Sequence, residues 1–83
     1  MIKIQVLEIF QMGVNRVIAG RVDGKLPFIQ ESRMAWIDGV LDQAVEIQTE
    51  MMPRITDPEL RHIRSFVIKS DIVFGAGTVL VIQ

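Results

Sequence analysis

Met34-Ala35-Trp36-Ile37-Asp38-Gly39-Val40-Leu41-Asp42-Gln43-Ala44-Val45-Glu46-Ile47-Gln48-Thr49-Glu50-Met51-Met52 carries two periods at once, and the fold depends on which one the backbone follows. Trp36, Val40, Ala44, Ile47 and Met51 recur at helical spacing with Ile37, Leu41, Val45 and Met52 beside them. Asp38, Asp42, Glu46 and Glu50 form a separate stripe at steps of four, as in an amphipathic helix. Against this, Asp38-Gly39 is a turn dipeptide, and glycine inside a helix costs about 1 kcal/mol relative to alanine. Val45, Ile47 and Thr49 also alternate with Glu46, Gln48 and Glu50 in the manner of a strand. A helix over 34–52 gives an α+β protein of order β-β-α-β-β. Two strands, Met34 to Ile37 and Ala44 to Met51, give an all-β domain of six or seven strands.

The flanking sequence is strand-like on both sides. Ile2, Ile4 and Val6 alternate with Lys3 and Gln5, and then Leu7 and Ile9 continue on the opposite parity, a phase slip that predicts a bulge. Met12 to Asn15 reads as a turn, and the Val- and Ile-rich run Arg16 to Val22 closes at Asp23-Gly24, completing a hairpin. A third short extended piece is expected around Lys25 to Phe28, where Pro27 restricts it to an edge or a strand start. Towards the C-terminus, Phe66, Ile68, Ile72 and Phe74 share one parity. Gly75-Ala76-Gly77 separates them from Val79 to Ile82, which reads as two further strands joined by a turn. Between the two halves, Pro53 and Asp57-Pro58 bracket a loop in which Asp57 could cap one or two helical turns through His62.

The chain has 83 residues, 49% hydrophobic and 23% charged, with nine Lys plus Arg against ten Asp plus Glu. This is enough for one small domain, 1–83, that buries roughly 60–65% of its unfolded surface, and it is too apolar for intrinsic disorder. With no cysteine and one histidine, His62, disulfides, thiolate nucleophiles and the common zinc sites are excluded. Lys3 and Glu8 interrupt the N-terminal apolar residues, so no signal peptide is expected and a cytoplasmic location is. The longest uncharged run, Ile72 to Gln83, has 12 residues and two glycines, whereas a spanning helix needs about 20.

Several stretches imitate chemical motifs. Gly20-Arg21-Val22-Asp23-Gly24-Lys25-Leu26 has one residue too few between its glycines for a phosphate-binding loop, and Leu26 occupies the place of the magnesium-binding Ser or Thr. Gly75-Ala76-Gly77 lacks the third glycine and following helix of a dinucleotide site. The acidic stripe Asp38, Asp42, Glu46 and Glu50 reads as a solvated face, without the oxygen-rich loop that would fold over a cation. His62 lies near Asp57 and Glu59 but no nucleophile accompanies it at a recognisable spacing. Trp36 reads as core or half-buried. No enzyme, cofactor, metal or small-molecule substrate is expected.

Charge is unevenly placed. Residues 31–50 carry Glu31, Asp38, Asp42, Glu46 and Glu50 against Arg33, while 54–69 carry Arg54, Arg61, Arg64 and Lys69 against Asp57 and Glu59. Six arginines against three lysines suit phosphate contacts, although a pI near 5.7 is far below that of a dedicated nucleic-acid binder.

The hairpin Phe10-Gln11-Met12-Gly13-Val14-Asn15-Arg16-Val17-Ile18-Ala19-Gly20-Arg21-Val22-Asp23-Gly24-Lys25-Leu26 resembles the start of the β-barrel domain that follows the GTP-binding domain in translation factors of the elongation factor Tu and initiation GTPase class. There a strand, a glycine turn and a second strand ending in Gly-Arg-Val lead to a further glycine and an apolar residue. Ala44 to Met52 resembles a later strand ending near a Glu-Met pair, and Phe66 to Ile82 resembles the closing unit, with Gly77-Thr78-Val79-Leu80 as its Gly-x-x-Leu strand. Pro53 to Ile63 has no counterpart, and the GTP-binding motifs are absent from these residues, so neither hydrolysis nor a nucleotide switch carries over.

The resemblance implies a six- to seven-stranded antiparallel β-barrel of the translation-protein type and a non-catalytic binding role, with RNA (tRNA or ribosome) or a translation-machinery protein as partner. The locally cationic set Arg54, Arg61, His62, Arg64 and Lys69 is the expected RNA contact, since function concentrates on loops held by a rigid scaffold. The competing expectation is an α+β domain that uses an open strand edge or apolar surface for protein interaction or homo-oligomerisation, an adaptable contact suited to its five methionines. No membrane partner is expected.

Overall fold

In the computed structural model, which describes residues 1–51, 63–70 and 73–82, the described residues are all-β, and the strand reading of the segment from Met34 to Met51 holds. Six strands run in order: β1 (Ile2–Met12), β2 (Asn15–Asp23), β3 (Arg33–Ile37), β4 (Val40–Glu50), β5 (Ile63–Lys69) and β6 (Val79–Ile82). They close into one barrel with neighbours β1-β2-β5-β4-β3-β6, every pair antiparallel. The α+β alternative is thereby corrected: Asp38-Gly39 is the turn between β3 and β4, with Gly39 at φ +85°. The extended piece expected around Lys25 to Phe28 is likewise a loop rather than a strand. The expected capped turn at Asp57-Pro58 lies outside the described residues.

Inward positions follow from strand alternation, and three register slips adjust them. Ile4 and Val6 of β1 face inward; the ladder with β2 then skips from Val6 to Glu8, so that Leu7 is the extra residue and Ile9, on the other parity, packs against the core. This is the bulge that the phase slip predicts. Ile18, Ala35, Val45, Ile47, Phe66, Ile68, Leu80 and Ile82 complete the interior, all nearly inaccessible. Gly20 belongs to the same layer for a steric reason. A Cβ there would lie 2.6 Å from Cγ2 of Ile4 and 3.0 Å from the carbonyl oxygen of Gln5, so β1 and β2 approach to a distance that only glycine permits.

Two connections cross the barrel ends, because β2 and β3, and again β5 and β6, are not neighbours. The β2–β3 connection drops Leu26 and Ile29 into the core, 7% and 2% exposed, and so stoppers one end. Between β5 and β6, Phe74 packs against the core, as Ile9 does, and Gly75 to Thr78 forms the expected turn through the Thr78 N–H donating to the Gly75 carbonyl. The interior is therefore filled by side chains.

Candidate functional site

The most elaborate polar arrangement is at the stoppered end. On β4, Val45 and Ile47 face inward and Glu46 outward, so strict alternation would also turn Glu50 outward. The ladder with β5 slips between Ile47 and Thr49, leaving Gln48 as the extra residue; Thr49 then faces Val67, and Glu50 faces Phe66 on the inner side. One bulge thus carries a carboxylate from the surface into the barrel mouth, where Glu50 is the buried charged residue among those described, 7% exposed.

Arg64 meets it from β5, on the same parity as Phe66 and opposite Gly20. Its Nε and Nη2 donate to the two carboxylate oxygens of Glu50, each at 2.5 Å, the bidentate geometry a guanidinium favours. The remaining donors reach the crossing loop: Nη1 to the Leu26 carbonyl at 2.7 Å and Nη2 to the Pro27 carbonyl at 3.3 Å. Glu50 Oε1 accepts from the Ile29 N–H at 3.2 Å, the Glu50 N–H donates to the Ile29 carbonyl at 2.9 Å, and Thr49 Oγ1 donates to that carbonyl at 3.3 Å. The guanidinium carbon also lies 5.7 Å from the ring centroid of Phe66, within cation–π range. Both members of the pair are satisfied, and their shared function is to fasten the loop that supplies Leu26 and Ile29.

Outside this clamp, Pro27 to Arg33 line an open concavity of about 340 Å³. Phe28 is 41% exposed there, Lys25 is exposed nearby, and Arg33 is half-buried at the rim. Ser32 donates to Glu46 at 2.7 Å, tying the far end of the loop to β4.

The expected cationic set is divided by the fold. Arg64 is committed to the internal pair, its side chain 22% exposed. Lys69 is exposed at the other end of β5, directly opposite Glu46, with four residues and about 17 Å of strand between it and Arg64. Arg54, Arg61 and His62 lie outside the described residues; the connection carrying them leaves from Met51 and returns at Ile63, beside the clamp, where the Met51 N–H donates to the Ser65 carbonyl. The acidic stripe is dispersed: Asp38 is in a turn and paired with Lys3 at 3.7 Å, Glu46 faces outward and Glu50 inward. Among the described residues no three or more His, Asp or Glu are grouped to hold a metal, and no helix there is long and apolar enough to cross a membrane. Trp36 is half-buried on the outer face, beside Val81 of β6.

Comparison with protein-family models, with curated proteins and with solved structures returns no match to this chain.

Proposed function

We propose that the protein is a non-catalytic binding barrel of the translation-factor type that contacts RNA through the end closed by the β2–β3 loop. The observation that carries this reading is a closed six-stranded antiparallel barrel with a filled interior, whose strands fall on the segments that resemble the translation-factor domain. Residues 10–26 span the end of β1, all of β2 and the loop entry; 44–50 form most of β4; 66–82 run from β5 through β6. Gly20 of the Gly-Arg-Val motif sits where β1 excludes a side chain, which gives the motif a physical reason.

The proposed RNA contact combines Lys25, Phe28 and Arg33 at that end with the sequence cations Arg54, Arg61 and His62, which lie outside the described residues. Cations would meet phosphates while the exposed Phe28 ring offers a face for an unstacked base. Arg64 is assigned the scaffold role instead, since its guanidinium already serves Glu50 and the loop carbonyls. Fluorescence anisotropy of a labelled tRNA over a salt series tests the reading. Binding that weakens with a log–log slope of roughly −2 to −4, and that is lost in a combined Lys25→Ala, Arg54→Ala and Arg61→Ala variant, agrees with three to five phosphate contacts. A chain that leaves tRNA unbound at low salt sinks it. Protein interaction is the second reading, favoured by the exposed Leu7, Met12 and Val14.

A further inference from the structure

Independently of the RNA reading, we infer that the outer half of β1 is a strand-pairing edge whose partner is β1 of a second copy of this chain. β1 pairs with β2 from Lys3 to Met12 apart from the Leu7 bulge, but on its other side β6 covers only Ile2 to Gln5. The last bonds there are the Val6 N–H to the Thr78 carbonyl and the Gly77 N–H to the Val6 carbonyl, both 2.8 Å. From Leu7 to Met12 that side of the backbone pairs with none of the described residues.

The direction of each backbone group follows from the turn. Met12 and Asn15 close a two-residue hairpin loop, so they form a pair bonded to each other, and the alternation of an antiparallel ladder then fixes the rest. Phe10–Val17 is bonded across the hairpin, whereas Gln11–Arg16 and Ile9–Ile18 are the non-bonded pairs. The N–H and C=O groups of Ile9 and Gln11 therefore point to the open edge. Such a row of groups is a template for another strand, and sheets usually protect it with lysine or proline; neither occurs between Leu7 and Met12. The side chains around it are apolar and accessible: Leu7 is 37%, Met12 46% and Val14 94% exposed.

A second copy fits this edge in a definite register. In an antiparallel pairing centred on Phe10, Ile9 bonds Gln11 of the copy and Gln11 bonds its Ile9, so all four groups on each side are used. Phe10 then faces Phe10 of the copy as a close non-bonded pair, with Cα atoms about 4.5 Å apart, the geometry in which cross-strand aromatic pairs interact most. Phe10 is already half-buried on the outer face opposite Val17, which is 1% exposed, and Val17 in turn faces Val67, so the two aromatic rings would extend an existing apolar row. Glu8, the one charge between Leu7 and Met12, falls opposite Met12 of the copy, so no like charges meet.

That last pairing supplies the test, because Met12 is exposed and its replacement leaves the barrel core intact. Sedimentation equilibrium of the full chain, its Met12→Lys variant and its Met12→Glu variant, up to about 500 μM, reads the association directly. The expected result is a wild-type monomer–dimer equilibrium that Met12→Lys strengthens and Met12→Glu weakens, the two variants differing by about tenfold or more at low salt and less at high salt. A Gln11→Pro variant, which removes an edge N–H without touching the β2 ladder, should shift the equilibrium towards monomer with an unchanged far-UV spectrum. A wild-type chain that stays monomeric over this range, or Met12→Lys and Met12→Glu weakening association alike, overturns the pairing.

Discussion

Replacing Arg64 with methionine would remove the donors that hold the Glu50 carboxylate while keeping most of the side-chain length. Glu50 would remain buried with one protein donor, the Ile29 N–H, and the carbonyls of Leu26 and Pro27 would lose theirs. Breaking a buried pair from one side typically costs about 3–5 kcal/mol, because the desolvated charge is left uncompensated. A domain of this length has a total stability of roughly 4–12 kcal/mol, so the loss takes a large part of it. Replacing both partners, Arg64→Met with Glu50→Leu, removes the charge problem and should leave the chain within about 1–3 kcal/mol of the parent, the residue being the unpaired loop groups. Urea unfolding followed by Trp36 fluorescence measures both. With a slope near 1 kcal/mol per molar, the single variant should move the midpoint down by about 3 M or be unfolded without denaturant, and the double variant should recover more than half of the loss. An Arg64→Met variant costing less than about 1 kcal/mol, or a double variant as unstable as the sum of the singles, would refute the clamp.

Gly20→Ala should lose about 1–3 kcal/mol in the same assay, because its methyl would overlap Ile4 and the Gln5 carbonyl, whereas Gly75→Ala, with open space around it, should fall within about 0.5 kcal/mol of the parent. Gly39→Ala should cost about 1–2 kcal/mol through the positive φ of the β3–β4 turn, despite having no neighbour to strike, as thermal unfolding would register. Lys3→Ala should change the urea midpoint little, at most about 1 kcal/mol, since its pairing with Asp38 is exposed on both sides.

Much of this fold is legible in the sequence, and the failures have identifiable causes. The Leu7 bulge announces itself because apolar residues on both sides of it keep a strict period of two. The 34–52 segment misleads because β3 and β4 contain a tight turn and two register slips. One slip lies between Trp36 and Ile37 and the other between Ile47 and Thr49, and each advances the phase by an odd step. Residues 36, 40, 44 and 47, a mixture of outward and inward positions, then imitate a helical repeat. Glycine at 39 is the signal that decides correctly, since a left-handed residue cannot continue a helix. The clamp is invisible for a different reason. Glu50 reads as one member of an acidic stripe and Arg64 as one of a basic cluster, 14 residues apart, and only the extra residue Gln48 turns the carboxylate inward to meet the guanidinium. The Leu26 and Ile29 stoppers could have been suspected as apolar residues in a loop beside Pro27, but nothing local specifies which barrel end they close.

The same division separates two members of the basic cluster, Arg64 and Lys69. Sequence proximity groups Arg61, His62, Arg64 and Lys69, whereas strand alternation sends Arg64 inward and Lys69 outward at the opposite end of β5. Among the described residues, the loop end keeps Lys25, Phe28 and Arg33.

Titration of the isotope-labelled chain with tRNA at low salt, read amide by amide by NMR, tests this combination most directly. The largest shifts are expected at Lys25 to Arg33 and in residues 52–62, with the β1–β2 turn at Met12 to Asn15 unmoved, and they should disappear as salt is raised. Spectra unchanged at saturating tRNA, or shifts confined to the β1–β2 turn, would contradict it.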